Sequence, residues 1–456
     1  MSGLLGTMWM ALGALQAQQA GLQTTTNNVA NLNTPGYSRE RPILEEGEPF
    51  REGNVVFGGG VQLKGVESLR SSLVDLQISE EAQQQGSSQA FVNSMNQVQT
   101  LFPVDTTGIG AQISAFFQSL NNLSTDPSDL TLRQSVLTSG QNMAVAFNNT
   151  ANQLASQRQQ LDNNVQQQVQ QINQITAEIA TINSKLAGVS STGQDYGAFL
   201  DQRGDLIQQL SALVDLSQIN DGTALTLTTK QGAPLVVDGS AYSLSSNIDS
   251  DGVRHIYSSQ GEDITGKVSG GQLGGTLEIR DQTIPSLQTQ LDSLAGGMVV
   301  ALNNAHQQGF DLYGNAGGDL FEPITGAGAA SAIAVAFTDP RMLAASSDGS
   351  SGSNGNLARL SAVANQSVSN GLTPSDGYGN LVFQVGMAIS NGNAQISASD
   401  AMLQQLQQQR ESISGVSLDE EASNLLLYQR AYQAAARAIS TVDQMLETAI
   451  NMGANP

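Results

Sequence analysis

Apolar side chains spaced seven residues apart at both ends of the chain limit its folding more than any other feature. Leu418, Leu425, Tyr432, Ile439 and Leu446 recur every seven residues, and Tyr428, Ala435, Val442 and Ala449 occupy the companion position. Over Leu418–Ile450 this is the a/d seam of a coiled coil about four heptads long, and such a seam needs a partner. Met8, Leu15, Leu22 and Val29 repeat the spacing near the N-terminus, with Leu5 and Leu12 at the companion position. The spacing predicts one coiled coil built from the two ends; a pair of ordinary amphipathic core helices is the alternative.

The N-terminal partner has a second property. No charged side chain precedes Arg39, and Gln16, Gln18, Gln19 and Gln23 interrupt its apolar residues. A secretory leader with a basic start does not fit, nor does a membrane span. An uncharged amphipathic segment suits burial against other protein chains. Elsewhere 40 Asp and Glu face 18 Lys and Arg, a formal net charge of -22, which disfavours nucleic acid and anionic membrane as partners. The absence of Cys excludes disulfides and thiolate metal sites. The 456 residues suffice for about two to four domains.

Residues 3–33 read as one helix, stopped at Asn33-Thr34-Pro35-Gly36-Tyr37, because the residue before a proline is pushed out of the helical region. A loop and small hairpin are expected at 40–66, and helices at 67–101, 111–122 and 127–187. The last carries heptad rows of Leu154, Leu161, Ile175 and Ile182 and of Val165, Ile172, Ile179 and Leu186. A Gly/Ser/Thr loop at 188–198 precedes a short helix from Phe199. Between 217 and 280 the period shortens to two, with turn dipeptides Asp221-Gly222, Asp238-Gly239 and Asp251-Gly252. Helices return at 281–308, 356–369, 377–390 and 394–414.

The expected fold is mainly α with an inserted small antiparallel β domain: elongated, with paired N- and C-terminal coiled-coil helices plus a long helical bundle. Residues 1–50 and 415–456 form the terminal coiled-coil assembly domain, 51–215 and 281–414 an elongated helical domain, and 216–280 the β domain. The loop-rich stretch 311–355 is expected to pack with the β domain, and the β domain to lie far from the termini along the long helices.

Three segments resemble one family. Asn27-Asn28-Val29-Ala30-Asn31-Leu32-Asn33-Thr34-Pro35-Gly36-Tyr37-Ser38-Arg39 resembles the N-terminal signature of bacterial flagellar rod, hook and hook-associated proteins, with Asn31, Thr34, Pro35, Gly36 and Tyr37 as its turn. Leu200-Asp201-Gln202-Arg203 is similar to a segment of flagellins and hook-associated proteins. Ser414 to Arg437, which includes the acidic helix start Ser417-Leu418-Asp419-Glu420-Glu421, resembles the family's C-terminal signature.

The resemblance implies a structural component of the flagellum that joins hook to flagellin filament, and no enzymatic activity or cofactor. It further implies hook protein and a second hook-filament junction protein as partners, self-assembly into a junction ring, and an export chaperone at the C-terminal helix. Export would use the flagellar type III apparatus, leaving the chain outside the cell. On this reading Leu5, Met8, Leu12, Leu15, Leu22, Val29, Leu418, Leu425, Tyr428, Tyr432, Ile439, Val442 and Leu446 form the assembly interface. A secreted helical adhesin or effector that binds a host partner is the other reading; it has no need of paired terminal seams.

The sequence holds little chemistry. His255 and His306 lie far apart and read as surface or capping residues, not metal ligands. Asp311, Asn315, Asp319 and Glu322 mimic the ligand spacing of a calcium loop, but Tyr313 fills the third position and Ala316 replaces the turn glycine. It reads as a polar loop. Glu80 and Glu81 are neighbours on a helix and point apart, so they form a solvated face.

Overall fold

The computed structural model describes every residue except 1, 53–54, 191–195, 222–223, 251, 325 and 455–456. Part of the expected loop at 188–198, and Gly222 and Asp251 of the turn dipeptides, therefore lie outside the described residues. The chain is mostly helical with small antiparallel sheets. It opens with α1 (Ser2–Ala30) and closes with α11 (Leu418–Ala454), which pack against each other. After α1, β1 (Glu40–Glu46) and β4 (Val61–Ser68) form a long hairpin with a register shift at Ile43/Leu44; β2 (Phe50–Glu52) and β3 (Val55–Phe57) make a smaller hairpin nested within it. Residues 67–71, expected at the start of a helix, instead finish β4 and lead to Ser71, whose Oγ caps α2 (Ser72–Gln99).

α2 runs beside α10 (Pro374–Ser414), which is one continuous helix where two were expected. Together they carry two cores. The core nearer the termini joins the second half of α4 (Leu130–Ser190), α5 (Gly197–Leu213), the strands and α6 (Gly271–Glu278). The strands are β5 (Ser217–Asp221), β6 (Ala224–Thr228), β7 (Pro234–Val237) and β8 (Ser240–Ala241) in one sheet, with β9 (Ser245–Ile248) and β10 (Arg254–Tyr257) paired beside it. The farther core joins the end of α2, α3 (Ile109–Leu123), the first half of α4, α7 (Ile284–His306), α8 (Ala329–Ala332), α9 (Gly355–Ala362) and the start of α10. The 61 residues of α4 span about 90 Å and thread both cores.

Three expectations are corrected here. The β domain does not lie far from the termini: α5 folds back along α2, so Gln218 and Leu225 line the same cavity as Arg70 and Arg410 at the terminal joint. Residues 271–280 are helical, not β. Their glycines serve close packing, since a Cβ on Gly275 would fall 2.1 Å from Ser87 O of α2. The 311–355 stretch packs in the farther core through Leu320, Phe321, Ala330, Ile333, Leu343 and Ala345, not with the β domain.

Buried polar side chains order that loop-rich stretch. Asn303 Oδ1 accepts from Leu320 N and Phe321 N at 2.9 Å, and its Nδ2 donates to Phe321 O. Arg133 is 1% exposed and donates to Pro127 O and Leu343 O at 2.6 Å; burial pulls its guanidinium down to about 10. His306 Nε2 accepts from Ala344 N at 2.8 Å, so Nδ1 carries the proton that goes to Gly318 O. Burial holds this imidazole below its ordinary value, which favours the neutral ring.

Candidate assembly interface

α11 leaves the joint where α1 arrives, so the two run antiparallel. Gly21 fixes their register, because a Cβ there would lie 2.7 Å from the Tyr428 ring. The α11 seam takes the expected face: Val442 is 6% exposed, and Leu425, Tyr428, Tyr432, Ile439 and Leu446 are half-buried. Leu418 is the exception at 52% exposure. In this register it lies level with residue 31, beyond the end of α1.

The α1 side differs more. Its inner face is Ala11, Ala17, Ala20, Gly21, Thr24, Thr25 and Asn28, all buried. Met8, Leu15 and Leu22 flank that face half-buried, and Leu5, Leu12 and Val29 are exposed. The cause is a second neighbour. The hairpin arm also packs on α1, with Phe50 against Gly6 and Val61 O against Gly13, where added Cβ atoms would sit 2.6 Å and 2.5 Å away. A helix approached closely on two sides needs small residues there, which turns the large ones, Trp9 included, to the open face.

The motif turn is built around Asn28. Its Oδ1 accepts from Tyr37 OH at 2.8 Å and Glu40 N at 2.9 Å, while Nδ2 donates to Glu40 O at 2.9 Å. Asn31 ties back to Asn27, Thr34 Oγ1 donates to Asn31 Oδ1 at 3.1 Å, Pro35 is exposed, and Gly36 takes φ +80. A left-handed residue at that point is why glycine stands there. Asn28→Ala removes all three bonds, at about 2–4 kcal/mol local to the turn. Hydrogen exchange at residues 37–41 should quicken sharply, while the main melting transition, set by the two cores, stays near its original midpoint.

This turn docks onto the rest of the chain by ions. Arg39 reaches Glu420 at 2.6 Å and Glu421 at 2.7 Å, and its amide donates to Ser414 O. Arg410 donates to Gly36 O at 2.9 Å and lies 3.6 Å from Asp75. Asp201 accepts from Ser38 N at 3.3 Å and pairs with Arg70, which also donates to Leu200 O. Burial pushes the Asp201 and Asp75 carboxyls up, against the neighbouring arginines that hold them down. The Leu-Asp-Gln-Arg segment thus touches the N-terminal turn directly. Heptad reading missed Asn28, Arg39, Arg70, Arg410 and the three glycines; the first charge after 38 neutral residues was a usable signal for Arg39.

The other sequence candidates stand apart from this joint. Asp311 Oδ1 takes the amides of Tyr313 and Asn315 at 2.8 Å, and Asp319 Oδ1 takes Gln307 at 2.7 Å, so the two carboxylates serve the loop itself. His255 pairs with Asp263 at 2.8 Å on the surface of the β domain. Among the described residues no group of three His, Cys, Asp or Glu could hold a metal ion, and no helix is long and apolar enough to cross a membrane.

Two terminal helices thus close into one antiparallel stalk, held by a polar turn to a helical body. Residues 8–37 match the flagella basal body rod protein family, and 407–452 the C-terminal family of flagellar basal body rod FlgEFG proteins. Residues 95–321 match the helical domain of flagellar hook-associated protein FlgK. Flagellar hook-associated protein 1 of Bacillus subtilis is 29% identical over 492 aligned positions, covering 96% of both chains. Its Escherichia coli counterpart is 24% identical, covering 97% of this chain and 98% of its own. The solved structure of the flagellar hook junction protein FlgK from Burkholderia pseudomallei shares the fold, with a TM-score of 0.67 at 18% identity, over 74% of this chain and 100% of that one. Along nearly its whole length the chain is thus similar to flagellar hook-associated protein 1.

Proposed function

We propose that this protein is a structural adaptor of the bacterial flagellum that joins the hook to the flagellin filament. The observation that carries the reading is the open face of the terminal stalk. Leu5, Trp9, Leu12 and Val29 of α1 and Leu418, Leu426, Leu427, Met445 and Ile450 of α11 are exposed on helices that already have each other as partners. Exposed apolar side chains recurring along both helices point to further protein partners. The helix that supplies four of these nine side chains carries no charge, which suits burial among other chains.

The partners in this reading are copies of the same chain in a junction ring, hook protein on one side and a second junction protein on the other. An export chaperone would cover the C-terminal helix before assembly, and the flagellar type III apparatus would deliver the chain outside the cell. The mechanism is packing. At the joint Arg70 pairs with Asp201 and Arg410 with Asp75, each pair across two elements. That is positioning work, and we read the chain as a non-enzyme.

Labelled protein on intact flagella tests this. The label should fall between hook and filament, and deletion of the chain should leave hooks that shed filament subunits into the medium. Label on the cell body, with filaments of normal length in the deletion strain, would favour the adhesin reading and end this one.

A further inference from the structure

Asp215 lies where α5 gives way to β5, and it is fully buried. Its Oδ2 accepts long bonds from Ser269, 3.3 Å to the amide and 3.5 Å to the hydroxyl, and its Oδ1 has no partner. Gln83 of α2 is 3% exposed. Its Nε2 donates to Leu216 O at 3.4 Å, and its Oε1 has no partner. The two side chains are neighbours: a Cβ built on Gly270 would sit 3.0 Å from Asp215 Cβ and 3.6 Å from Gln83 Cβ. Ser211 Oγ, four residues before Asp215, is buried and unpartnered too.

An ionised carboxylate and an amide oxygen both only accept hydrogen bonds. Side by side they leave two unmet acceptors, which a folded chain rarely tolerates. One proton answers both. On Asp215 Oδ1 it removes the buried charge and turns an acceptor into a donor, on a side chain next to one whose acceptor is unmet. A metal ion answers less well, since a hard cation such as calcium takes about six to eight oxygens, and several carboxylates, where this site has one.

We propose that Asp215 is held as the neutral carboxylic acid in the folded chain and donates to Gln83 Oε1, so that one buried proton clamps the β domain onto α2. Gln83, Ser269 and Gly270 lie about the carboxyl, none of them charged. Lys230, exposed in the β6–β7 turn, acts on it from outside. Burial pushes the carboxyl up, and Ser269 and Lys230 oppose that without overcoming it. A carboxyl raised on folding stabilises fully below its unfolded value, and the contribution is lost as pH rises through its folded value. The clamp therefore loosens toward alkaline pH.

Infrared spectra of the full chain through an acid titration test the proposal. One protonated-carboxyl band should persist to a pH at which exposed carboxyls have ionised. Asp215→Asn should abolish the band and flatten the pH dependence of melting, because its amide donates to Gln83 at every pH. Gln83→Leu should move the band to higher frequency by removing the acceptor, and this arm stands alone if Asp215→Asn fails to fold. No persistent band, a band that survives Asp215→Asn, or one indifferent to Gln83→Leu overturns the clamp.

Discussion

Val442→Asp should abolish filament assembly and leave the body of the protein folded. Val442 is the most buried side chain of the α11 seam, 6% exposed, so there is little solvent to relieve a new charge. An unpaired carboxylate at such a site costs about 3–5 kcal/mol. Each 1.4 kcal/mol is about a factor of ten in an equilibrium, so the stalk pairs on the order of 100-fold or more weakly. Both cores lie outside the stalk, and none of their members comes from α1 or α11. The main melting transition should move little. Gln433→Glu adds the same charge at an exposed position and should assemble normally. The readouts are filament length on cells and flagellin in the medium. Normal filaments from Val442→Asp would show that the stalk is not the assembly element.

What could be read from the sequence follows from which interactions leave a periodic trace. The α11 seam and the rows of α4 were visible because large apolar residues recur at helical spacing and one neighbour covers one face. α1 broke that rule. With α11 on one side and the hairpin arm on another, its buried face is Ala, Gly, Thr and Asn, residues that carry little hydrophobic signal, and its leucines sit at the flanks or on the open side. The glycines at 271, 274 and 275 leave no periodic trace, yet they let α6 approach Leu213, Ser269 and Ser87 closely. Nothing in local sequence shows that Asn303, His306 and Arg133 will bind the backbone of a loop far along the chain. The motif turn was legible as a turn; its docking was not, since Arg39 meets Glu420 across 381 residues.

The boundary between the two cores gives the second large effect. α6 passes into α7 through one π-helical turn, Ile279–Thr283. Pro285 follows at the start of α7, has no amide to donate to a carbonyl four residues back, and clashes with it, so the backbone widens there. Arg280 in this turn is 1% exposed. It holds Asp281 through Nε and Nη2 at 2.8 Å and Asp162 of α4 through Nη1 at 3.0 Å. The same Asp162 accepts from Arg254 N at 2.9 Å and pairs with its side chain at 3.3 Å. One carboxylate on the long helix therefore ties both the π turn and the β9–β10 hairpin. Removing it leaves Arg254 without its carboxylate partner among the described contacts and Arg280 with only Asp281, all at sites with 15% exposure or less apart from Asp281 itself. Asp162→Ala should cost about 3–5 kcal/mol, read as a large drop in the melting midpoint of the body. Hydrogen exchange should localise the loss to β9–β10 and residues 279–284, while exchange across α1 and α11 stays unchanged. Asp162→Asn keeps an acceptor but no charge and should fall between. If both variants melt like the parent, Asp162 does not bind the two cores together.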